Sequence, residues 1–175
     1  MGVQVGDEAP DFELRDQHGQ PVRLSSFRGD RSVVVMFYPF AFSRVCTGEL
    51  GEVRDSLPEW QSDDVQLLAV ACDAMFSLRA FAERDGLEFP LLSDFWPHGA
   101  VASAYGVLNE TTGAADRSTF IVDPQGVVRW VVHNEMPQPR DLAEQLRVLA
   151  GLAPGAPRNG ATGTFDAGSE PQPEG

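Results

Sequence analysis

Ser32-Val-Val-Val-Met-Phe-Tyr38-Pro-Phe-Ala-Phe-Ser-Arg-Val-Cys46-Thr-Gly-Glu49 is the stretch from which the rest of the chain can be read. Its first seven residues form a continuous apolar run rich in β-branched side chains, the signature of a strand buried on both faces. A helical stretch follows Cys46, with Leu50, Val53 and Leu57 on one face and charges between them. Pro58 is expected to kink or end that helix. In open α/β sheets, sites form at the carboxyl ends of such strands. A cysteine in the first helical turn meets unpaired backbone N–H groups and the positive end of the helix dipole, and both favour thiolate over thiol. The competing reading makes Cys46 a small buried hydrophobe. Placement alone leaves the two readings level.

Working outward, Val65 to Cys72 is a second buried run, followed by an amphipathic segment from Met75 to Asp85 that Gly86 stops. Pro97 opens a short helix through Ala104, which Gly106 closes. Ser118 to Val122 and Val127 to Val132 flank Asp123-Pro-Gln-Gly126, a strong hairpin signal. A final helix runs from Arg140 to Ala150 and ends at Gly151. In front of all this, Phe12 to Leu24 forms a small hairpin with Asp16 to Pro21 as its turn. Two strand–helix units feeding an antiparallel hairpin and a closing helix make an α/β fold of thioredoxin-like plan. Its central mixed sheet is flanked by helices, with an N-terminal β-hairpin. Nine of the last twenty-two residues are Gly or Pro. The expected organisation is one domain over 1–152 and a disordered tail over 153–175.

At 175 residues and 42% hydrophobic, the chain is long enough for one real core. The net charge of -13 repels phosphate backbones and anionic lipid heads, which argues against nucleic-acid and membrane partners. All thirteen basic residues are arginine. Without lysine there is no Walker-type phosphate loop, no pyridoxal Schiff base and no lysine general base. The N-terminus lacks the basic and apolar regions of a secretory signal, and the longest apolar run, Val33 to Phe42, is too short to span a bilayer. A soluble cytoplasmic protein is the expectation. Two cysteines and three histidines with no close spacing give no metal signature, and no bound cofactor is expected.

Pro39-x-x-x-Ser43-x-x-Cys46 resembles the active-site pattern of the peroxiredoxin family: Pro, three residues, Thr or Ser, two residues, Cys. Arg117-Ser-Thr-Phe-Ile-Val-Asp, seventy-one positions after Cys46, resembles the strand that carries the family's active-site arginine. Gly6-Asp-x-Ala-Pro-Asp-Phe-x-Leu is similar to the family's opening, and Phe89 through Val107 is very similar to its AhpE branch, a one-cysteine subgroup. Together these cover residues 1 to about 152. The resemblance implies a thiol peroxidase acting on hydrogen peroxide, organic hydroperoxides or peroxynitrite through a cysteine sulfenic acid. It further implies a homodimer and an external reductant, either a small thiol or a thioredoxin- or glutaredoxin-like protein. Cys46 would attack one peroxide oxygen, and Ser43 would offer its hydroxyl to peroxide and sulfur. Arg117 would hold the thiolate and the oxygens, Pro39 would shield the site from water, and Glu49 would orient the arginine. Ser43 stands where many members have Thr, which loosens rotamer control.

Acidifying a thiol from ~8.5 to ~6 raises its thiolate fraction near neutral pH roughly tenfold. The same shift lowers its nucleophilicity by about as much, given a Brønsted slope of ~0.4–0.5. Speed must therefore come from aligning the O–O bond and stabilising the leaving oxygen, for which arginine's planar fork is suited. Cys72, ending an apolar run, reads as a buried thiol ahead of a resolving cysteine. Asp11, Asp16, Glu83 and Asp85 read as solvated charges, as does His18 in its polar turn; His98 is placed to bear on a partner surface or the pocket rim, and His133 ends a strand. Two rivals stand beside the peroxidase. A disulfide oxidoreductase is weakened by Glu49 in place of the second cysteine of C-x-x-C, and a redox sensor would signal through oxidised Cys46.

Overall fold

The computed structural model describes residues 2–152. In chain order its first elements are β1 (Glu13–Arg15), β2 (Pro21–Arg23), β3 (Ser32–Phe37), α1 (Arg44–Asp55), α2 (Leu57–Trp60) and β4 (Val65–Ala71). There follow α3 (Met75–Asp85), β5 (Leu91–Ser93), α4 (Ala100–Ala104), β6 (Leu108–Asn109) and β7 (Ala114–Ala115). The last three are β8 (Arg117–Val122), β9 (Val128–Asn134) and α5 (Leu142–Gly151). Seven strands form one mixed sheet in the order β2-β1-β5-β4-β3-β8-β9. β4 lies parallel to β3 and to β5, while β8 lies antiparallel to β3 and to β9.

Every residue of β3 is buried, because the strand sits inside the sheet with packing on both faces. Its side chains alternate between two cores, as the period of a strand requires. Val34, Met36 and Tyr38 face Leu50 and Val53 of α1, Leu78 and Phe81 of α3, and Leu149 of α5. Val33, Val35 and Phe37 face Val101 and Ala102 of α4, Tyr105, and Phe120 and Val122 of β8. Each fully buried aliphatic or aromatic side chain stabilises the fold by about 1.5–3 kcal/mol. Leu50 and Val53, both at 0% exposure, thus fix α1 to the sheet at the end of β3.

The α/β architecture is the expected one, with local differences. The first helix is interrupted just ahead of Pro58, in line with the expected kink or end. That helix stops at Asp55, and Pro58 lies in the first turn of α2, where its missing N–H costs nothing. The segment after Pro97 is a turn, and the helix begins only at Ala100. The strand β5 and the small β6–β7 hairpin were not expected. The final helix starts at Leu142, not Arg140. Asp16 is buried at 8% exposure and accepts from the His18 and Gln20 N–H groups, so it shapes the β1–β2 turn and is no solvated charge. The expectation of a disordered tail over 153–175 lies outside the described residues. Among the described residues no helix is long and apolar enough to cross a membrane.

Candidate active site

Cys46 is the third residue of α1 and is fully buried. Ser43 is the N-cap, with extended backbone, and the helical ladder opens with Thr47 N–H on the Ser43 carbonyl at 2.9 Å. The N–H groups of the first turn therefore lie ahead of the ladder, beside Cys46. The Ser43 hydroxyl caps nothing: it is buried and has no hydrogen-bond partner among the described residues. Pro39 is buried at the turn out of β3.

The loop between strand and helix is tied down from two sides. Asp73, just past β4, accepts the Ala41 N–H at 3.0 Å through its carboxylate, and burial raises the pKa of that carboxyl. Phe42 sits at φ 66°, a left-handed conformation that costs a bulky residue on the order of 1–3 kcal/mol. Its ring packs 5.2 Å from Phe81 and lies 4.8 Å beneath the Arg84 guanidinium. These contacts on α3 offset the strain and set where α1 begins.

Arg117 opens β8 with 2% exposure. Its Nη1 donates to Cys46 Sγ at 3.4 Å and to Glu49 Oε2 at 2.7 Å, and its Nη2 donates to the Met136 carbonyl at 2.9 Å. Its Nε has no partner among the described residues. Glu49, one helical turn after Cys46, is 4% exposed. It also receives Arg140: backbone N to Oε1 at 2.6 Å and Nη1 to Oε2 at 2.6 Å. Arg140 further donates through Nε to Thr119 Oγ1 at 3.1 Å and through Nη2 to the Phe37 carbonyl. Burial lowers the Arg140 pKa while Glu49 acts against it, and the guanidinium stays charged at physiological pH. One carboxylate of α1 thus braces two buried cations, one of which reaches Cys46.

Of the five residues singled out from the sequence, the structure links Cys46, Glu49 and Arg117 directly, with Ser43 as the N-cap of the same helix and Pro39 at the turn before it; it adds Arg140, which sequence reasoning puts inside the last helix. A signal for it exists. Asp141 caps α5 by accepting the Glu144 N–H at 2.9 Å. The pattern Asp141-x-x-Glu144 after Pro139 marks a helix start that leaves Arg140 outside. Arg44, the first residue of α1, is exposed. Beside it a cleft of about 260 Å³ runs between α1 and residues 139–142, with Glu49 and Arg140 in its wall.

Cys72 lies on the other side of the sheet from Cys46. It packs with Val35, Phe37 and Phe120, whereas Cys46 packs with Met36, Tyr38 and Leu50. Cys72 is 6% exposed, and burial, assisted by Asp94, pushes its thiol up to about 11. Both cysteines are free. Around the neighbouring turns Phe40, Phe95 and Trp96 stand 41%, 51% and 81% exposed, an apolar group beside the active-site loop.

The model of the AhpC/TSA family matches residues 5–131, and the chain belongs to that family, which holds the peroxiredoxins. It is 48% identical over 143 residues to alkyl hydroperoxide reductase E of Mycobacterium tuberculosis, covering 82% of this chain and 92% of that protein. It is 34% identical over 162 residues to a chloroplastic 2-cysteine peroxiredoxin of Chattonella marina, covering 87% and 82% respectively. Among solved structures it is similar to peroxidoxin BcpB of Mycobacterium tuberculosis, with TM-score 0.75, 32% identity and coverage of 85% and 97%.

Proposed function

We propose that this chain is a thiol-dependent peroxidase whose attacking group is Cys46, turning over by a one-cysteine cycle. Its substrates are hydrogen peroxide, organic hydroperoxides or peroxynitrite. The observation that carries this reading is the Arg117 guanidinium held 3.4 Å from Cys46 Sγ by a buried Glu49. With Cys46 ionised, the charges of Cys46, Glu49, Arg117 and Arg140 cancel, so the site tolerates an anion at sulfur without solvent. The thiolate attacks one peroxide oxygen and the S–O bond forms as the O–O bond breaks. The second oxygen leaves with the electron pair and takes up a proton, giving water or an alcohol. Charge moves from sulfur to the leaving oxygen, and a fork-shaped donor serves both ends of that shift. The unpartnered Ser43 hydroxyl is a second donor for the peroxide. Pro39 excludes water from one side, and Glu49 with Arg140 sets the position of Arg117.

A thiol then attacks the sulfenic sulfur, releasing water, and a second thiol releases Cys46 from the mixed disulfide. That reductant is external in this reading: a small thiol or a thioredoxin- or glutaredoxin-like protein. The sheet between the two cysteines and the raised Cys72 pKa support it. After one equivalent of peroxide, wild type and Cys72→Ser should give the same dimedone adduct on Cys46 and similar turnover with an added thiol. Wild type that instead loses two hydrogens and forms no adduct would overturn the one-cysteine cycle.

The enzyme is read as a cytoplasmic homodimer joined near the active-site loop. Phe40, Phe95 and Trp96 put large apolar surface in turns, where association would cover it. Analytical ultracentrifugation at micromolar concentration should find about twice the 19.0 kDa of one chain. A species of single-chain mass alone would refute the dimer.

A further inference from the structure

Tyr38 ends the buried run of β3, and its side chain is 0% exposed. Because Phe37 points to the opposite face, the Tyr38 ring lies in the same layer as Ala41, Cys46 and Leu50. Its backbone is fixed on both sides. The Tyr38 N–H donates to Val70 at 3.0 Å, and the carbonyl before it, that of Phe37, accepts from Arg140. The phenol itself has no hydrogen-bond partner among the described residues. Leaving a buried hydroxyl unsatisfied costs about 1–3 kcal/mol, and phenylalanine would pack the same space without that cost. The groups that act on the phenol are Asp73 and Cys46, which disfavour its ionisation together with burial, and Arg140, which opposes them. The hydroxyl therefore keeps its proton and remains a donor.

Within the peroxidase reading, on which this step rests, we propose that the Tyr38 hydroxyl is the hydrogen-bond donor to the oxygen that peroxide leaves on Cys46. Among the described residues the resting site bonds no acceptor to this phenol, and the first half-reaction creates one. Arg117 and Ser43 serve the oxygen that departs in that half-reaction, whereas Tyr38 serves the one that stays. Its effect falls on the reductive half. There a thiolate of a small thiol attacks Cys46 Sγ, the S–S bond forms, and the S–O bond breaks. The oxygen leaves as hydroxide, which takes a solvent proton to become water. A donor on that oxygen stabilises the developing charge. Tyr38 thereby acts as a catalytic residue for sulfenic acid reduction.

The test is Tyr38→Phe, which removes one oxygen and keeps the ring. Loss of the Cys46 thiol is followed after one equivalent of hydrogen peroxide. Return of the sulfenic form to the thiol is then followed by quenched intact mass with 2-mercaptoethanol. The first rate should stay within ~3-fold of wild type, and the second should fall by at least ~10-fold. The melting temperature should hold or rise, because an unsatisfied group has been removed. Unchanged reduction, or an equal loss in both halves, would overturn the proposal, as would a fall in melting temperature, which would mean that the hydroxyl is bonded in the resting fold. The underlying reading fails separately, if the wild-type protein never gains a sulfenic oxygen on Cys46.

Discussion

Cys46→Ser should abolish peroxide reduction, leaving less than ~1% of wild-type turnover, while circular dichroism and melting stay close to wild type. The serine oxygen fills nearly the same volume in a fully buried position, so the contacts of α1 with the sheet survive. What disappears is the nucleophile, because an alcohol is not ionised near neutral pH and nothing beside it acts as a base. Cys46 is bonded to a cation, Arg117 Nη1 at 3.4 Å, beside the N–H groups of the first helical turn, and the nearby Glu49 carboxylate is taken up by three N–H bonds from Arg117 and Arg140. Arg117 and those N–H groups stabilise an anion already formed and accept no proton. Turnover is read as peroxide consumption by substoichiometric protein with an excess of thiol. Appreciable activity in a well-folded Cys46→Ser protein would remove Cys46 from the mechanism and the proposed function with it.

Much of this arrangement is legible in sequence, and the rest fails for identifiable reasons. The run from Ser32 to Tyr38 and the helix after it announce themselves by period alone, because burial on both faces leaves no polar position in the strand. The end of α3 is equally plain, since Gly86 adopts the left-handed cap its position requires. β5 is missed because three residues carry no period, and its strand character comes from pairing with β4. The break near Pro58, by contrast, is legible, because a proline has no N–H with which to continue the helical ladder. The meeting of Arg117 with Cys46 spans 71 positions, and no local rule reaches that far. Only the resemblance of each segment to a family pattern suggests it. Arg140 shows the opposite failure: the capping pattern stands at Asp141 and Glu144, but helical periodicity continues through it.

Glu49→Gln should cost about 3–5 kcal/mol of folding stability, the largest effect expected from one substitution outside the apolar core. Glu49, Arg117 and Arg140 have side-chain exposures of 4%, 2% and 0%. Removing the carboxylate charge leaves two guanidinium groups facing each other without solvent to screen them. The amide also offers one acceptor oxygen where three N–H bonds now end on two. The urea midpoint should fall by roughly 1–3 M with an unchanged slope. Activity measured on the folded fraction should fall as well, because Arg117 loses the brace that points it at sulfur. A loss of less than ~1 kcal/mol would show that the arginines find other partners, and that Glu49 does not hold the cluster together.

The route by which Arg140 enters the site also matters during synthesis. Glu49 and Arg140 are 91 residues apart. At ~5–20 residues per second, a ribosome spends about 5–18 s between making the carboxylate and making the cation that completes its bonding. For most of that interval β8 has not been made, so the nascent chain carries its thiol with neither arginine in place; over the last 23 residues Arg117 is present without Arg140. In the proposed mechanism, reactivity toward peroxide therefore belongs to a chain that has grown past Arg140. An arrested or truncated product ending before Arg140 should carry a thiol of ordinary reactivity and a helix α1 poorly anchored at its first turn. In the proposed mechanism, the order in which the segments emerge withholds the chemistry until both arginines have been made.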